Sequence, residues 1–315
     1  MNAAKPSGLN RISSRNALLG ISLIIIGSLL MSAKGIFAKL LYAEAVADDV
    51  LVTTRALLSL PLFWAWAIWR TGFLNLFQIE RRALLGSAVA GIICYYLGAR
   101  LDFYALTLID AGLERVLLYT YPAIVMIVTA TMVRRLPEWR VIIAVVLTYT
   151  GVVLAVGGFN TELWQANMIG AGLVIFCAIT FAFYFFANEY LGKHIGSIGF
   201  TVYAMTAATI ALCLHFILTH SITEVTLNTR AWGLLSFMVV FVTVVPVFMI
   251  AEGVRQIGAQ RAALISTVGP PSTIFLAAVF LDESMSVTQL SGVIFILAGI
   301  LILEIRRAQA IYVAD

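Results

Sequence analysis

The stretch MVRRLPEWR begins at Met132, and 148 positions later (280 minus 132) the stretch FLDESMSVT begins at Phe280. Arg134 and Arg135 of the first stretch align with Asp282 and Glu283 of the second. Each stretch follows an apolar run that a proline opens, and each precedes an apolar run that a glycine closes. The sequence therefore predicts two related halves whose corresponding loops carry opposite charge.

The composition is typical of a membrane protein. Of the 315 residues, 62% are hydrophobic and 11% are charged, whereas soluble proteins carry about 25% charged residues. A surface this apolar can face only lipid, so we predict an integral membrane protein. The pI near 9.0 does not indicate a nucleic-acid partner, because 16 acidic residues nearly balance the 20 basic ones and the basic ones lie in short loops.

Ten apolar stretches are long enough to cross the bilayer, since ~30 Å of hydrocarbon takes about 20 helical residues. The predicted spans are residues 17–40, 50–69, 83–104, 112–133, 139–158, 167–188, 198–219, 231–251, 262–281 and 287–305. They are continuously apolar and do not alternate in polarity, so the predicted fold class is all-α with ten transmembrane helices. The first stretch is too long for a signal peptide, which predicts a retained first span.

Basic residues predict the orientation. If the N-terminus is cytoplasmic, the cytoplasmic segments carry fourteen Lys and Arg residues, whereas the opposite loops carry only Arg230. Cytoplasmic loops favour Lys and Arg. Both termini are therefore predicted to be cytoplasmic tails, residues 1–16 and 306–315, of a multi-pass protein of the inner membrane.

The ten spans divide into two repeats of five, residues 17–158 and 167–305. Because five is odd, the second repeat crosses the bilayer in the opposite sense, and its loop after the fourth span faces the other side. The positive-inside bias then explains the arginines in one loop and the carboxylates in the other. Inverted repeats are typical of carriers that work by alternating access, which favours a transporter over a receptor or an enzyme.

Three motifs resemble a known family: SLLMSAKGIFAKLLY from Ser28, DAGLERVLLYTYP from Asp110 and IGAQRAALISTVGPP from Ile257. With the order and spacing of the spans over residues 17–305, they resemble the EamA family of the drug/metabolite transporter (DMT) superfamily. The resemblance implies a ten-helix secondary carrier, often an exporter of amino acids or other small metabolites. Lys39, the second lysine of the first stretch, matches the lysine that ends the family's own motif. Met31 stands where family members often have tryptophan. The resemblance assigns no substrate-site residue.

Charged residues inside spans are costly and therefore mark candidate functional positions. Those in the predicted outer half are Lys34, Arg55, Arg100, Asp102, Glu114 and Arg115. We predict ion pairs of Lys34 or Arg55 with Glu114, and of Arg100 with Asp102. One interpretation is a structural ion-pair cluster or an outer gate that includes Arg100, Asp102 and Arg115. The other is a substrate cavity in which Lys34 or Arg55 contacts the solute.

A second group of charges lies at the predicted cytoplasmic ends of spans six, eight and nine. It consists of Glu189, Glu252, Arg255 and Arg261. Inverted symmetry predicts an inner gate at this position, opposite the outer one. Helix-end charges that extend to the lipid headgroups are the alternative.

Prolines and tyrosines lie at a similar depth in the predicted spans, and together they predict a polar cavity. A proline inside a helix frees the carbonyl about four residues earlier, so Pro122 and Pro270 predict free backbone carbonyls, that of Ser266 among them. A tolerated kink is the alternative. Tyrosine hydroxyls at membrane depth need partners, and a wet cavity would supply them. The candidate cavity tyrosines are Tyr95, Tyr96, Tyr119, Tyr121, Tyr184 and Tyr203.

Sequence motifs for other chemistries are missing. There is no Walker A sequence, no HExxH motif and no convergent nucleophile–base pair, so neither ATP-driven pumping nor an enzyme is predicted. The three cysteines lie inside apolar runs without a CxxC pair. No metal, cofactor or disulfide is therefore predicted.

We predict a secondary transporter that exports a small metabolite, an amino acid or a related amphipathic solute, by alternating access. Its predicted partners are a small-molecule substrate and the lipid bilayer, without nucleic acid. Proton coupling through Glu114, exchange and facilitated diffusion all stay open. So does a second class of function, a non-transporting membrane scaffold or sensor protein.

Overall fold

The structure is a computed structural model that describes residues 14–73, 76, 79–121, 123–125, 127–128, 139–156, 160–221, 225–257, 265–266 and 268–314. Every regular element in these residues is helical, which confirms the predicted all-α class. The first half of the chain forms α1 Ser14–Ser32, α2 Lys34–Ala43, α3 Asp48–Thr71, α4 Arg81–Gly91, α5 Ala99–Leu108, α6 Ala111–Leu118 and α7 Trp139–Val156. The second half forms α8 Thr161–Thr219, α9 Thr229–Phe237, α10 Val245–Ile257, α11 Gly269–Phe280 and α12 Val287–Ala314.

Among the described residues, two π-helical segments interrupt these helices. Ile92–Gly98 joins α4 to α5, and Met238–Val244 joins α9 to α10. A π-helical turn adds a residue to the helical repeat and often occurs at functional positions. The first segment contains Tyr95 and Tyr96, two of the candidate cavity residues.

Within the described ranges, six helical segments are long and apolar enough to cross a bilayer: Leu18–Ala43, Asp48–Thr71, Arg81–Leu108, Thr161–Asn188, Ile198–Thr219 and Thr229–Ile250. They correspond to predicted spans one, two, three, six, seven and eight. Three shorter apolar helices, Ile142–Val156, Gly269–Phe280 and Val287–Ile302, lie within predicted spans five, nine and ten. The predicted fourth span begins with α6 and is described as far as residue 128, with gaps at 122 and 126, whereas residues 129–133 lie outside the described ranges. The count of ten therefore stays a prediction.

Helix boundaries follow local sequence signals. The side chain of Asn160 caps α8 by accepting hydrogen bonds from the N–H groups of Glu162 and Leu163, at 3.0 and 3.2 Å. Ser286 and Gln289 form a reciprocal capping box at the start of α12, with N···O distances of 3.0 and 3.2 Å. These polar side chains satisfy backbone donors that would otherwise be left without partners where each helix begins.

Gly196 separates the two membrane segments of α8. Its φ of 74° lies in the left-handed region that favours glycine. The chain therefore changes direction between predicted spans six and seven without a long loop.

Helices α7 and α12 cross at glycines. A Cβ added at Gly292 would lie 2.4 Å from the backbone nitrogen of Ala155, and one added at Gly151 would lie 2.7 Å from the carbonyl oxygen of Gly292. Small residues let two membrane helices approach closely, so that their backbones make dispersion contacts. This crossing joins the last predicted span of each half.

The first predicted span is broken at Ala33, between α1 and α2. The Ser32 hydroxyl lies 2.7 Å from the carbonyl oxygen of Ser28 and 3.0 Å from that of Gly269, and the Thr273 hydroxyl donates to the carbonyl of Ser32 at 2.9 Å. The last two of these contacts join the end of α1 to the start of α11. The break therefore places Lys34, the first residue of α2, next to a junction of two helix ends.

The sequence predicted that Pro270 interrupts the middle of a helix, but in the structure it lies at the start of one. Helix α11 begins at Gly269, and the prolines occupy its first positions. A missing N–H is harmless there, because the first N–H groups of a helix have no intrahelical acceptor. The predicted mid-helix proline in span nine is therefore wrong. The neighbouring Ser266 carbonyl nevertheless accepts a side-chain hydrogen bond, at 3.2 Å from the Tyr119 hydroxyl.

Candidate substrate-binding site

The Lys34 ammonium group lies between two carboxylates on different helices. Its Nζ is 3.1 Å from Oε1 of Glu114 on α6, and it also forms an ion pair with Asp102 on α5. The side chains of Lys34, Asp102 and Glu114 are 17%, 6% and 1% exposed. The predicted pairing of Lys34 with Glu114 is confirmed, and one lysine ties α2, α5 and α6 together.

The predicted pairing of Arg100 with Asp102 is wrong. Successive residues of a helix are rotated by about 100°, so residues two positions apart point to nearly opposite sides. Arg100 instead forms two hydrogen bonds with the carboxylate of Asp49, both at 2.8 Å. Asp102 is left to face Lys34.

Phe103 lies between two cations. Its ring centroid is 5.6 Å from Nζ of Lys34 and 4.8 Å from Cζ of Arg55. The Tyr42 hydroxyl donates to the Phe103 carbonyl at 2.7 Å. Cation–π attraction is stronger where water is excluded, so this ring stabilises positive charge on two helices without neutralising it.

Arg115 extends the charged group along α6. Its guanidinium Cζ lies 5.1 Å from the ring centroid of Tyr119, whose hydroxyl donates to the carbonyl of Ser266. Arg115 is only 7% exposed. The start of α6 therefore carries a buried carboxylate and a buried guanidinium at adjacent positions.

Aromatic rings continue from this point as a chain. In order, the rings are those of Tyr119, Tyr121, Phe181, Tyr95 and Tyr184, and successive centroids lie 6.1, 6.4, 6.3 and 4.9 Å apart. Beyond its ring contact, the Tyr184 hydroxyl is 3.3 Å from that of Thr201. Four predicted cavity tyrosines thus lie along one surface that borders the charges.

Four charged side chains in this region have a buried polar atom without a hydrogen-bond partner among the described residues. The atoms are Nε of Arg55, Oδ1 of Asp102, Oε2 of Glu114 and Nε of Arg115. Buried polar groups in native proteins are almost always paired, so each exception needs an explanation. They comprise two hydrogen-bond donors and two acceptors.

The sequence profile of the EamA-like transporter family matches residues 18–157 and 168–305. The chain belongs to the EamA-like transporter family. Its two matched segments give this multi-pass membrane transporter a two-repeat architecture, and membership of the DMT superfamily follows.

Two curated proteins are similar to this EamA-like transporter over nearly their full lengths. Uncharacterized transporter YcbK of Bacillus subtilis is 35% identical over 94% of this chain and 96% of its own. Uncharacterized transporter sll1319 of Synechocystis sp. is 22% identical over 95% of this chain and 97% of its own. A solved crystal structure that is 17% identical shares the fold, with a TM-score of 0.62 over 92% of this chain and 97% of that chain.

Tyr96 and Arg100 of this EamA-like transporter belong to a separate polar group. Nη1 of Arg100 lies 2.5 Å from Nε2 of His215, and Nδ1 of His215 lies 3.1 Å from the Tyr96 hydroxyl. An open pocket of about 320 Å³ borders Tyr96, Arg100 and Asp49. Sequence reasoning identified neither His215 nor Asp49 as a candidate site residue.

Tyr203 also lies apart from the Lys34 group. Its hydroxyl donates to the carbonyl of Leu76 at 2.6 Å, and its ring is 5.7 Å from that of Trp64. The structure thus gives Tyr203 a packing role beside the end of α3.

The predicted inner gate is described only in part. Glu252 lies 3.6 Å from Nη2 of Arg70 and accepts a hydrogen bond from Gln256 at 2.9 Å. Arg261 and Pro122 lie outside the described residues, as do the side chains of Glu189 and Arg255. The inner gate therefore stays a prediction.

Proposed function

We propose that this protein is a secondary transporter that exports a small amphipathic metabolite, an amino acid or a related solute, across the inner membrane by alternating access. The observation that carries the proposal is the group formed by Lys34, Arg55, Asp102, Glu114 and Arg115. It combines charges of both signs, three buried members (Asp102, Glu114 and Arg115) and polar atoms without partners among the described residues. Ionisable residues inside a membrane are expensive and usually mark the path of a solute or ion.

Broken helices support a solute site at this position. The chain is interrupted at Ala33 beside Lys34, after Leu118 at the end of α6, and before Gly269 at the start of α11. Carriers commonly bind solutes where helices are discontinuous, since helix ends offer unpaired backbone groups and partial charges. The contact of Tyr119 with the Ser266 carbonyl shows that one such group is within reach of a side chain of the site.

The proposal includes ten membrane helices in two inverted repeats, residues 17–158 and 167–305. The two family matches and the reversed loop charges support it. So do the two π-helical segments: an offset of 148 carries Ile92 to position 240, inside Met238–Val244. Two related halves of opposite orientation can exchange conformations, which would open one site to each side in turn.

In the described conformation the charged group is covered. Asp102 is 4% exposed and Glu114 is 0% exposed. A solute can reach them only if the surrounding helices separate. We assign this opening to relative movement of the two repeats, on whose contact surface the junction between α1 and α11 lies.

Reconstitution into proteoliposomes tests the function. Vesicles with purified protein are loaded with a pooled panel of labelled amino acids and small metabolites, and efflux is compared with that from protein-free vesicles. We expect saturable flux of at least one solute and loss of that flux in Glu114→Gln, with flux retained in Arg230→Gln, which alters a side chain that is 74% exposed. Absence of flux across the panel with folded protein would favour the scaffold or sensor function.

A further inference from the structure

The charged group around Lys34 has more positive than negative residues. Its cations are Lys34, Arg55 and Arg115, and its anions are Asp102 and Glu114. Lys34 contacts both carboxylates, so both negative charges are engaged by one ammonium group. The two guanidinium groups are left without an anion of their own.

The environment of the arginines reinforces this imbalance. Among the described residues neither Arg55 nor Arg115 has a carboxylate within 4 Å, and the ring contacts of each are to an uncharged aromatic, Phe103 or Tyr119. The Nε atom of each is buried without an acceptor. A buried charge is costly unless it is paired and hydrogen-bonded.

Other charges lie near the group, Asp48 beside Tyr42 among them, but none of the described carboxylates lies within 4 Å of Arg55 or Arg115. Lys39 and Glu283 face each other at 4.0 Å, and Arg100 pairs with Asp49. Both pairs are internally balanced. A bound solute would supply the two arginines with the anion that the described residues do not place within 4 Å of them.

We propose that the site selects a solute of net negative charge, whose carboxylate or carboxylates bind Arg55 and Arg115. This inference rests on the proposed function and narrows its substrate class. An acidic amino acid matches every unpaired atom: two carboxylates suit the two guanidinium groups, and an ammonium group suits Oδ1 of Asp102 and Oε2 of Glu114. Its net charge of minus one also balances the excess positive charge of the site.

Solutes of other net charge fit less well. A neutral zwitterion brings equal charges of both signs, so one buried positive charge would stay uncompensated. A cation would add to the excess and would have to compete with Lys34 for the same carboxylates. Bidentate hydrogen bonding between guanidinium and carboxylate further favours the anion, because the planar fork of arginine matches the two oxygens.

Acid and amide pairs test this selectivity, since each pair differs in charge but hardly in shape. The probes are L-glutamate with L-glutamine, L-aspartate with L-asparagine, and benzoate with benzamide. Binding to the purified full-length protein is measured as the rise in unfolding temperature, because a ligand that binds only the folded state raises it. Flux of the same solutes is measured in proteoliposomes. We expect an acid to bind and move in at least one pair, and its amide to bind at least about tenfold more weakly.

Variants connect this selectivity to the arginines. Arg55→Gln and Arg115→Gln should each weaken binding of the acid by at least about tenfold, while Arg230→Gln should leave it unchanged. Arg55→Lys and Arg115→Lys keep the charge and guard against misfolding of the glutamine variants. They should retain the preference for the acid over its amide.

Three results decide between the two proposals. If amides bind and move as well as acids, or if only neutral or cationic solutes move, the anionic site is wrong while the transporter function stands. If the arginine variants bind the acid normally, the assignment of its carboxylate to them is wrong. If no solute moves, charged or neutral, the proposed transporter function itself fails.

Discussion

The carboxylate of Glu283 accepts a hydrogen bond from the backbone N–H of Ala111, with 3.0 Å between Oε1 and the nitrogen. Its Oε2 accepts a second bond from the N–H of Gly112 at 3.3 Å. A residue of the loop before α12 therefore caps the first turn of α6, in the other half of the chain. Asp110, at the N-cap position of α6, makes no capping bond with its own side chain.

Replacing Glu283 tests the importance of this long-range cap. Glu283→Ala removes both acceptors and the negative charge at a helix N-terminus, so we expect the free energy of unfolding to fall by about 1 kcal/mol. Thermal unfolding of the purified protein measures it. Asp282→Asn is the matched control, since Asp282 is an exposed neighbour whose φ of 54° asparagine tolerates. Equal effects of the two substitutions would contradict a specific cap.

The same carboxylate makes stability depend on pH. Burial raises the pKa of Glu283 above its ordinary value of 4.5, although the N–H groups of Ala111 and Gly112 and the charge of Lys39 lower it. The folded protein then binds the proton more tightly than the unfolded chain. The contribution of this group to the free energy of unfolding therefore falls as pH rises through the interval between the two pKa values.

Glu283→Gln does not titrate, so the comparison isolates this contribution. We expect the unfolding temperature of the wild type, relative to that of Glu283→Gln, to decrease as pH rises above 4.5, the ordinary pKa of the group. Thermal unfolding at closely spaced pH values measures the difference. A difference that is constant or increases over this range would show that the pKa of Glu283 is not raised.

Lys34 should contribute strongly to stability as well as to the site. Lys34→Met leaves two neighbouring buried carboxylates without their counter-ion, and removing one partner of a buried ion pair costs about 3–5 kcal/mol. We expect a marked drop in unfolding temperature and in the yield of folded protein. The triple variant that also carries Asp102→Asn and Glu114→Gln should recover much of the loss.

Lys39→Met is the control for this experiment, because Lys39 lies 4.0 Å from a single, partly exposed carboxylate. It should cost no more than about 1 kcal/mol. If both lysine variants lose the same stability, the arrangement of Lys34 between two carboxylates has no special energetic role.

Close packing of α7 against α12 predicts a large effect of one methyl group. A Cβ at position 292 would lie 2.4 Å from the nitrogen of Ala155, so Gly292→Ala must push the helices apart. We expect about 1–3 kcal/mol of lost stability, measured by thermal unfolding. Gly172→Ala on α8 has nothing within 4 Å of the added atom and should be neutral or slightly stabilising, since alanine favours helix. A harmless Gly292→Ala would mean that the two backbones are not in contact.

The proposed inverted orientation of the repeats predicts the sidedness of two loops. Reporter domains fused after Leu136 and after Met285 should report opposite sides of the membrane, the first cytoplasmic and the second external. Activity of paired reporters, one active only in the cytoplasm and one only outside it, measures this. Signals from the same side would refute the inverted repeat.

Several features of the site could be predicted from the sequence, because charged residues are rare inside membrane-spanning segments. A lysine or carboxylate within an apolar run is costly, so Lys34 and Glu114 were identifiable as a pair of opposite charge. The partner of Arg100 could not be identified in this way. Asp102 is nearer in sequence, but Asp49, on the neighbouring α3, is the carboxylate that the Arg100 side chain reaches.

The sequence alone determined that the chain spans a membrane, that it is helical and that its two halves are related. Each apolar run and each loop charge interacts with the bilayer on its own, so these features can be recognised without knowing which helices are in contact. Tertiary structure alone decided where helices break, at Ala33 and before Gly269, and which carboxylate each cation meets. Those outcomes depend on the rotation and crossing of helices that are distant in the chain. Side-chain charges pair over only a few ångströms, and no local pattern specifies distances between helices.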